Sequence, residues 1–234
     1  MSWVFTADEF ACVWRTETGA DCYPFPITAH SAVRDEHDYE ALARAAAQRW
    51  PTGADPDLTA VLRHAAQPET AMALFSNAGP PLRAYGARSG VRGVVLRQYD
   101  DHSVEVFSGG AAMVGRAFAA FLGEQPAGRA GHLIEDVDRL TAHFESWQQS
   151  GESIAARMHT VAAAERTAAG HIEARVGTDT DHPTPARYLT WFDVDGDGRY
   201  LTYRWYRDLH IEPVGKDRLI EAISTLGARP ASDD

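Results

Sequence analysis

Apolar and polar residues alternate with a period of two along residues 187–206, which is the pattern of a half-buried β-strand. The alternation is interrupted once, by the segment Asp193-Val194-Asp195-Gly196-Asp197-Gly198. Because Asp-Gly suits the positive φ of a two-residue type I′ turn, the pattern predicts a hairpin that turns at Asp197-Gly198. The predicted register pairs six residues across the two strands: Val194 with Leu201, Phe192 with Tyr203, and Thr190 with Trp205.

Other segments have apolar residues at helical spacing. The strongest pattern covers residues 133–149, where the spacing of four and three is that of a coiled-coil seam formed by Leu133, Val137, Leu140, Phe144 and Trp147. A second apolar stripe covers 153–168, and the short connection predicts an antiparallel helical hairpin. Capping residues and apolar spacing predict further helices over residues 9–15 (capped by Asp8), 35–50, 57–66, 110–122 and 216–226.

Period-two segments bounded by turn residues predict strands at 2–6, 70–76, 82–87, 93–99, 103–107, 171–176 and 208–213. Both halves of the chain then have the same order, with two helices, a group of strands and a closing helix. We therefore predict an α+β fold with a quasi-two-fold relation between halves of about 1–125 and 130–228 that share one sheet. The predicted organisation is a single domain over 1–228 and a disordered C-terminal tail over 229–234.

Charge and hydropathy exclude several classes of partner. The chain has 234 residues and a formal net charge of −11. Nucleic-acid binding usually rests on clustered Lys and Arg, so no nucleic-acid partner is expected. No apolar run approaches the roughly 20 residues that cross a bilayer, so no membrane span is predicted. The N-terminal residues lack the basic region of a signal peptide, and we expect a cytoplasmic protein.

The most suggestive chemical motif is an acidic one. Asp193, Asp195, Asp197 and Gly198 match the first half of an EF-hand calcium loop, which also requires a Glu at its twelfth position. That position is Arg204, and the flanking patterns are those of strands, so we interpret the segment as a turn. The sequence contains no HExxH, GxSxG or phosphate-loop motif. We therefore predict no enzyme, no metal site and no cofactor.

Aromatic residues occupy both faces of the predicted hairpin, at Trp191, Tyr203, Trp205 and Tyr206. Helices can cover such a face, since sheets normally bury one face against helices. An aromatic face can also be a partner surface, where Trp and Tyr are enriched. The pattern leaves open which face is exposed. It favours a protein-binding scaffold, and self-association as a homodimer is an alternative to binding a different protein.

Three further stretches follow one another along nearly the whole chain: residues 3–10 with Trp14 and Tyr23-Pro24-Phe25-Pro26; Leu82-Arg83-Ala84-Tyr85-Gly86 with Gly93-Val94-Val95-Leu96; and Gly198-Arg199-Tyr200 with Ile211-Glu212-Pro213 and the last helix. In this order they resemble the EspG family, the chaperones associated with actinobacterial type VII (ESX) secretion. The resemblance covers roughly residues 3–228.

The resemblance implies a fold and a role. The implied fold is quasi-two-fold, with a central, mainly antiparallel sheet flanked by helical bundles. The implied role is non-enzymatic and needs no cofactor. Family members bind the PPE subunit of a PE–PPE heterodimer in the cytosol before export, keep it soluble and deliver it to a type VII secretion system. Their contact surface includes the central sheet, the C-terminal helical bundle and a loop between the second and third strands.

By this resemblance, the loop maps to Arg88, Ser89, Gly90, Val91 and Arg92, with residues 77–81 as the alternative. The segment is short compared with longer examples in the family. Together with Trp191 and Trp205 of the hairpin, these five residues are the predicted partner-binding residues.

Overall fold

The computed structural model describes residues 1–28, 36–145, 153–181 and 183–228. Within these ranges, ten strands form one sheet. In chain order the strands are β1 (Ser2–Phe5), β2 (Thr70–Ala78), β3 (Arg83–Ser89), β4 (Arg92–Gln98), β5 (Val104–Gly110), β6 (Leu133–Asp136), β7 (Arg166–Val176), β8 (Arg187–Val194), β9 (Gly198–Trp205) and β10 (Asp208–Pro213).

The described residues also form seven helices: α1 (Ala7–Thr18), α2 (Glu36–Arg49), α3 (Pro56–Ala66), α4 (Met113–Phe121), α5 (Val137–Glu145), α6 (Ile154–Ala163) and α7 (Lys216–Leu226). The first begins two residues before the predicted start. Its cap is Thr6, not the predicted Asp8, because the Thr6 side chain accepts from the Glu9 amide while the Glu9 carboxylate accepts from the Thr6 amide. This reciprocal capping box satisfies two amides that would otherwise be unpaired.

The order of the strands across the sheet repeats between the two halves of the chain. From one edge to the other it is β1-β5-β4-β3-β2-β7-β8-β9-β10-β6. Each strand of the first half has a counterpart five places later in the chain, and the two sets run outward from the central β2–β7 pair. All neighbouring named strands are antiparallel. The predicted α+β fold with a quasi-two-fold, mainly antiparallel sheet is confirmed.

Helices cover the two faces of the sheet differently. On the first face, α4 and α7 pack over the middle strands through residues that include Phe118 and Ile223. The two helices approach closely, since a Cβ on Gly115 would lie 2.6 Å from the Ser224 hydroxyl. On the second face, α1 and α3 pack over the β1 end, and α5 and α6 pack over the β6 end. The middle of the second face lies between these two helical groups.

The long helix predicted over 133–149 is wrong at its start. Leu133–Asp136 is strand β6, which pairs with β10, and α5 begins at Val137. Asp136 sets this boundary, because its carboxylate accepts hydrogen bonds from the amides of Asp138 and Arg139. Leu133 is still buried in the same cluster as Leu140. One residue belongs to a strand and the other to a helix, but their spacing along the sequence is that of one helical seam.

The next predicted helix, 153–168, is too long. Helix α6 ends at Ala163, and residues from Arg166 onward form β7, which pairs with both β2 and β8. The Ala-rich sequence has high helix propensity, but pairing on both sides of the strand overrides it.

Of the predicted seam, Trp147 lies outside the described residues and Phe144 is described by its backbone only. The tail predicted over 229–234 also lies outside them, and the domain boundaries stay a prediction.

The hairpin between β8 and β9 has a different register from the predicted one. Val194 pairs with Gly198, Phe192 with Tyr200 and Thr190 with Thr202, a shift of three positions along β9. The connection has three residues, 195–197, and the left-handed residue is Gly196 with φ 66°. Gly198 also has a positive φ, 153°, and it packs closely, since a Cβ there would lie 2.6 Å from the Pro126 carbonyl oxygen.

No helix among the described residues combines the length and the apolar character needed to cross a membrane.

Leu140→Ala tests the core of the C-terminal helical group. Leu140 is buried among Leu133, Met158 and Phe192, so we expect the variant to lose about 2–5 kcal/mol of unfolding free energy in urea denaturation. The matched control is Ile154→Ala on α6, where the side chain is 43% exposed and the loss should stay below about 1 kcal/mol. Equal losses for the two variants would contradict the packing described for α5.

Candidate partner-binding surface

The middle of the second face of the sheet lies between the two helical groups, and most of its side chains are partly open to solvent. Two cross-strand rows lie there: Phe75 of β2, His171 of β7 and Thr190 of β8, and next to them Ala73, Glu173 and Tyr188. Apart from the buried Ala73, these residues are half-buried or exposed. We call this surface, with Phe25, the central strip. It lies between the two helical groups and spans the junction of the two halves.

The N-terminal side of the central strip is aromatic. Phe25 is 59% exposed and packs edge-to-face on Phe75, with ring centroids 5.3 Å apart. Phe75 in turn lies 5.6 Å from the ring of His171. His171 is oriented by its two nitrogens, which contact the Thr190 hydroxyl at 3.0 Å and the Asn77 amide at 3.3 Å. A fixed row of rings that remains open to solvent is the composition expected at the centre of a protein interface.

A cavity of about 760 Å³ adjoins this row, with Phe25 and Pro24 on one wall and Glu173 and Arg175 on another. The Arg175 guanidinium donates to the Glu173 carboxylate at 2.5 Å, and this hydrogen bond raises the pKa of Arg175. Tyr85 also lines the cavity. Its hydroxyl donates a hydrogen bond to the Ala65 carbonyl of α3, and burial raises the pKa of its phenol. The cavity therefore has an apolar wall and a charged wall.

The predicted loop residues 88–92 form the tight β3–β4 hairpin, in which Ser89 pairs with Arg92. The Glu69 amide donates to the Ser89 hydroxyl, and the Glu69 carboxylate accepts from the Gly90 amide. These bonds hold the hairpin against the segment that precedes β2, beside the wall of the cavity. At its tip, Val91 is 85% exposed. Arg88 points instead toward α7, where it donates to the Ser224 carbonyl at 3.4 Å.

The structure does not bring the two predicted tryptophans to this surface. Trp191 is 3% exposed and lies in the core under α4 and α7, so we no longer assign it to partner contact. Its burial follows from the register of β8, which turns Leu189 and Trp191 toward the helices of the first face. Trp205 is 63% exposed, but strand alternation from Thr202 places it on the first face, opposite the central strip.

The alternative loop, residues 77–81, lies at the Phe75 end of the central strip, where the Asn77 amide contacts His171. Because Ser2–Phe5 is the first strand, the connection between the second and third strands of this chain is 79–82. Antiparallel pairing puts this connection and the 88–92 hairpin at opposite ends of β3. The Ser76 hydroxyl bonds to the Pro80 carbonyl and the Leu82 amide, which fixes the connection locally.

The acidic motif of the β8–β9 connection is used internally. The Asp193 carboxylate accepts two hydrogen bonds from Arg199, at 2.7 and 2.8 Å, and both side chains are buried. Arg199 also donates to the Leu122 and Gly123 carbonyls after α4. This ion pair joins the end of α4 to the C-terminal half of the sheet, in agreement with the interpretation of the motif as structural.

Asp197 is also occupied, since it accepts from the Arg129 amide at 2.9 Å and from the Tyr200 hydroxyl at 2.5 Å. Burial and this hydrogen bond to Asp197 raise the pKa of Tyr200. Across the described ranges, no group of three or more His, Cys, Asp or Glu side chains is arranged to hold a metal ion.

A comparison with models of protein families assigns this architecture. The model described as EspG family matches residues 6–225, which is nearly the whole chain. The chain belongs to the EspG family. The resemblance to this family, expected over residues 3–228, is thus confirmed over almost the same span.

A solved structure of the same fold supports the EspG assignment. The chain is similar to the Mycobacterium tuberculosis type VII secretion system chaperone EspG5, whose structure was solved in complex with a PE25–PPE41 dimer. The sequences are 16% identical, the TM-score is 0.63, and the alignment covers 97% of this chain and 95% of that one. At this identity the likeness establishes the EspG fold. Comparison with the curated protein sequences finds no match.

Sequence reasoning missed most of the central strip of this EspG-family chain. Phe25 was part of a quoted stretch, but its proximity to Phe75 depends on how the turn closed by the Ile27 amide and the Pro24 carbonyl packs on β2. Tyr188 and His171 were not selected because each sits in a strand whose polar face gives no indication from the sequence of whether helices cover it. The available signal was the alternation of polar and apolar residues in β7 and β8, which leaves one face of each of these two strands polar near the middle of the sheet.

Removing one partner of the buried ion pair should destabilise the fold. Asp193→Ala leaves the Arg199 charge buried and unpaired, so we expect a loss of about 3–5 kcal/mol in unfolding free energy. Asp195→Ala, in the same connection but exposed, should cost below about 0.5 kcal/mol. A loss of similar size for the two aspartates would show that the Asp193–Arg199 pair has no special role.

Calcium should not bind to the Asp193–Asp197 segment. Two of its three aspartates already accept hydrogen bonds from Arg199, Tyr200 and the Arg129 amide, and the position of the required Glu is Arg204. Isothermal titration of the purified protein with calcium is expected to give only the heat of dilution. A micromolar dissociation constant would overturn this interpretation.

Proposed function

We propose that this protein is a cytosolic chaperone that binds the PPE subunit of a PE–PPE heterodimer and delivers the pair to a type VII secretion system. The observation that carries the proposal is the EspG family match over residues 6–225. The similar fold of EspG5, a chaperone solved with a PE25–PPE41 dimer, supports it. The role is one of binding before export, and no catalytic step belongs to it.

We assign the contact to the central strip and to the 88–92 hairpin, which lies toward the cavity end of β2. The strip supplies exposed aromatic rings at Phe25 and Tyr188, and the hairpin supplies the apolar tip of Val91. A chaperone of this kind shields an apolar end of its substrate, and burial of apolar area gives roughly 25 cal/mol per Å². Interface energy concentrates in a few buried aromatic anchors, so Phe25 and Tyr188 are the leading candidates.

Co-expression with a PE–PPE pair from the same genome is the first test. We expect a complex with one copy each of this chain, the PE protein and the PPE protein, as measured by size exclusion with multi-angle light scattering. Absence of a complex with every PE–PPE pair of that genome would contradict the chaperone function. A homodimer that binds none of these pairs would favour the alternative, a self-associating module of the same fold.

Variants then test the surface. Phe25→Ala, Tyr188→Ala and Val91→Ala remove exposed apolar side chains, and we expect at least one to weaken partner binding by about tenfold, or about 1.4 kcal/mol. Trp205→Ala tests the first face at the same time. The matched control is Val4→Ala, which removes a similarly exposed side chain (55%) from the edge strand β1.

Titration calorimetry gives the dissociation constants, and thermal melts confirm that each variant is folded. If all three strip and hairpin variants bind as tightly as Val4→Ala, the assigned surface is wrong even though the complex forms. If only Trp205→Ala weakens binding, the partner contacts the first face of the sheet.

A further inference from the structure

Two histidines meet at the C-terminal edge of the sheet, away from the central strip. Nε2 of His132 and Nδ1 of His210 are 3.1 Å apart, which is a hydrogen-bond distance. His132 directly precedes the edge strand β6, and His210 lies on β10, opposite Ile134 of β6. The two rings therefore connect the start of the edge strand to the strand that holds it in the sheet.

The ring of His210 has little freedom. It stacks on Tyr203 of β9, with ring centroids 4.8 Å apart and an interplanar angle of 14°. Its second nitrogen, Nε2, is buried and has no hydrogen-bond partner among the described residues. His132 is exposed. A half-buried ring that is stacked on Tyr203 cannot exchange the contact to His132 for another without leaving its stacked position.

The contact tolerates one proton but not two. In the neutral pair, one ring donates and the other accepts. A single added proton on the exposed His132 still leaves it as donor to neutral His210. A second proton would have to go to His210, and then both facing nitrogens would carry hydrogen at 3.1 Å. The hydrogen bond would be lost and two positive charges would face each other across the contact.

The surroundings oppose a charge on His210. Burial, and then the charge of His132, lower the pKa of His210, and they outweigh Asp208 and Glu212, which act to raise it. Glu212 is already engaged, because it accepts from Arg218 of α7 at 2.6 Å and from the Tyr203 hydroxyl at 2.9 Å. The Glu212 carboxylate, which could otherwise stabilise a positive charge on His210, is thus already paired with other groups.

The backbone of the strand that follows His132 is paired on one side only. Within the described chain, β6 has four residues and pairs with β10 alone, and α5 follows it directly. At the far end of β6, Arg207 pairs with Asp136 and Asp138. Desolvation acts to raise the pKa of Asp136, but amide hydrogen bonds and the nearby arginines outweigh it and lower that pKa. Mild acid therefore affects the His132 end of the strand and leaves the Arg207 end intact.

We propose that the His132–His210 pair is an acid-released latch that holds strand β6, and the start of the C-terminal helical group, onto the sheet. This inference does not depend on the identity of the partner. At neutral pH the latch is closed by one hydrogen bond. When the pH falls and His210 takes a proton, the latch opens and the pairing of β6 with β10 weakens at the His132 end, while the Leu133 side chain stays in its core cluster.

The direction of the pH dependence follows from the depressed pKa of His210. The unfolded chain has an ordinary histidine with a pKa of about 6.5, so above that pH the contribution to stability is fully present. As the pH falls below about 6.5, the unfolded or opened state binds more protons than the closed state. Stability of the edge is lost progressively until the pH passes the lower pKa of the folded state.

Amide hydrogen exchange at pH 7.5 and pH 5.5 tests the latch. In the parent chain, we expect the protection factors of β6 amides, corrected for intrinsic rates, to fall by at least about threefold at the lower pH. The internal control is β1, the edge strand related to β6 by the quasi-two-fold axis, which has no histidine in it or in its partner β5. Its protection should not change.

His132→Gln keeps the latch closed in acid. The Gln side chain amide can donate to a neutral His210, and its carbonyl oxygen can accept from a protonated one. We expect this variant to retain β6 protection at pH 5.5, whereas His37→Gln on the surface of α2 should behave as the parent does. Equal loss of protection in β6 and β1 of the parent would overturn the proposal. So would a His132→Gln variant, folded at pH 7.5, that loses β6 protection as the parent does.

Discussion

The antiparallel pairing of β2 with β7 is the interaction on which the rest of the fold depends. It joins two five-stranded units into one sheet, with seven continuous pairs from Thr70–Val176 to Ser76–Gly170 before an irregularity. The backbones come close at the end of this run, since a Cβ on Gly170 would lie 2.2 Å from the Phe75 carbonyl oxygen. Without this pairing, α4 and α7 would belong to separate units and could not share a core across the junction.

The central pair also creates the candidate binding surface. On the first face, helices α4 and α7 close over the junction, and on the second face the helical groups stay at the two ends. The same arrangement that gives each half its own core therefore leaves the central strip between them. The location of the strip is a property of the topology, and only its chemistry is set by residues such as Phe25, Phe75 and Tyr188.

The sequence was sufficient for the fold class but not for the register or the surface. Local signals placed most strands and helices, because capping residues and periodicity act over a few residues. They failed at 133–136 and 164–168, where pairing with β10, β2 and β8 decides the structure. The hairpin turn was misplaced by the same cause, since contact with Pro126 explains Gly198 and no local signal reports that contact. Trp191 was misjudged because burial depends on which face α4 and α7 cover.

Two tyrosines at equivalent positions in the two halves, Tyr85 and Tyr188, differ in how far they are buried. Tyr85 pairs with Ala73 across β3 and β2, and Tyr188 pairs with Glu173 across β8 and β7; Ala73 and Glu173 face each other at the centre. The two tyrosines are therefore equivalent under the quasi-two-fold axis. One is buried beneath α3 and bonded to Ala65, and the other is 54% exposed. A helix therefore covers the tyrosine of the first half, and its equivalent in the second half stays open to solvent, so the two sides of the strip present different aromatic groups: Phe25 with Phe75 on one side and Tyr188 on the other.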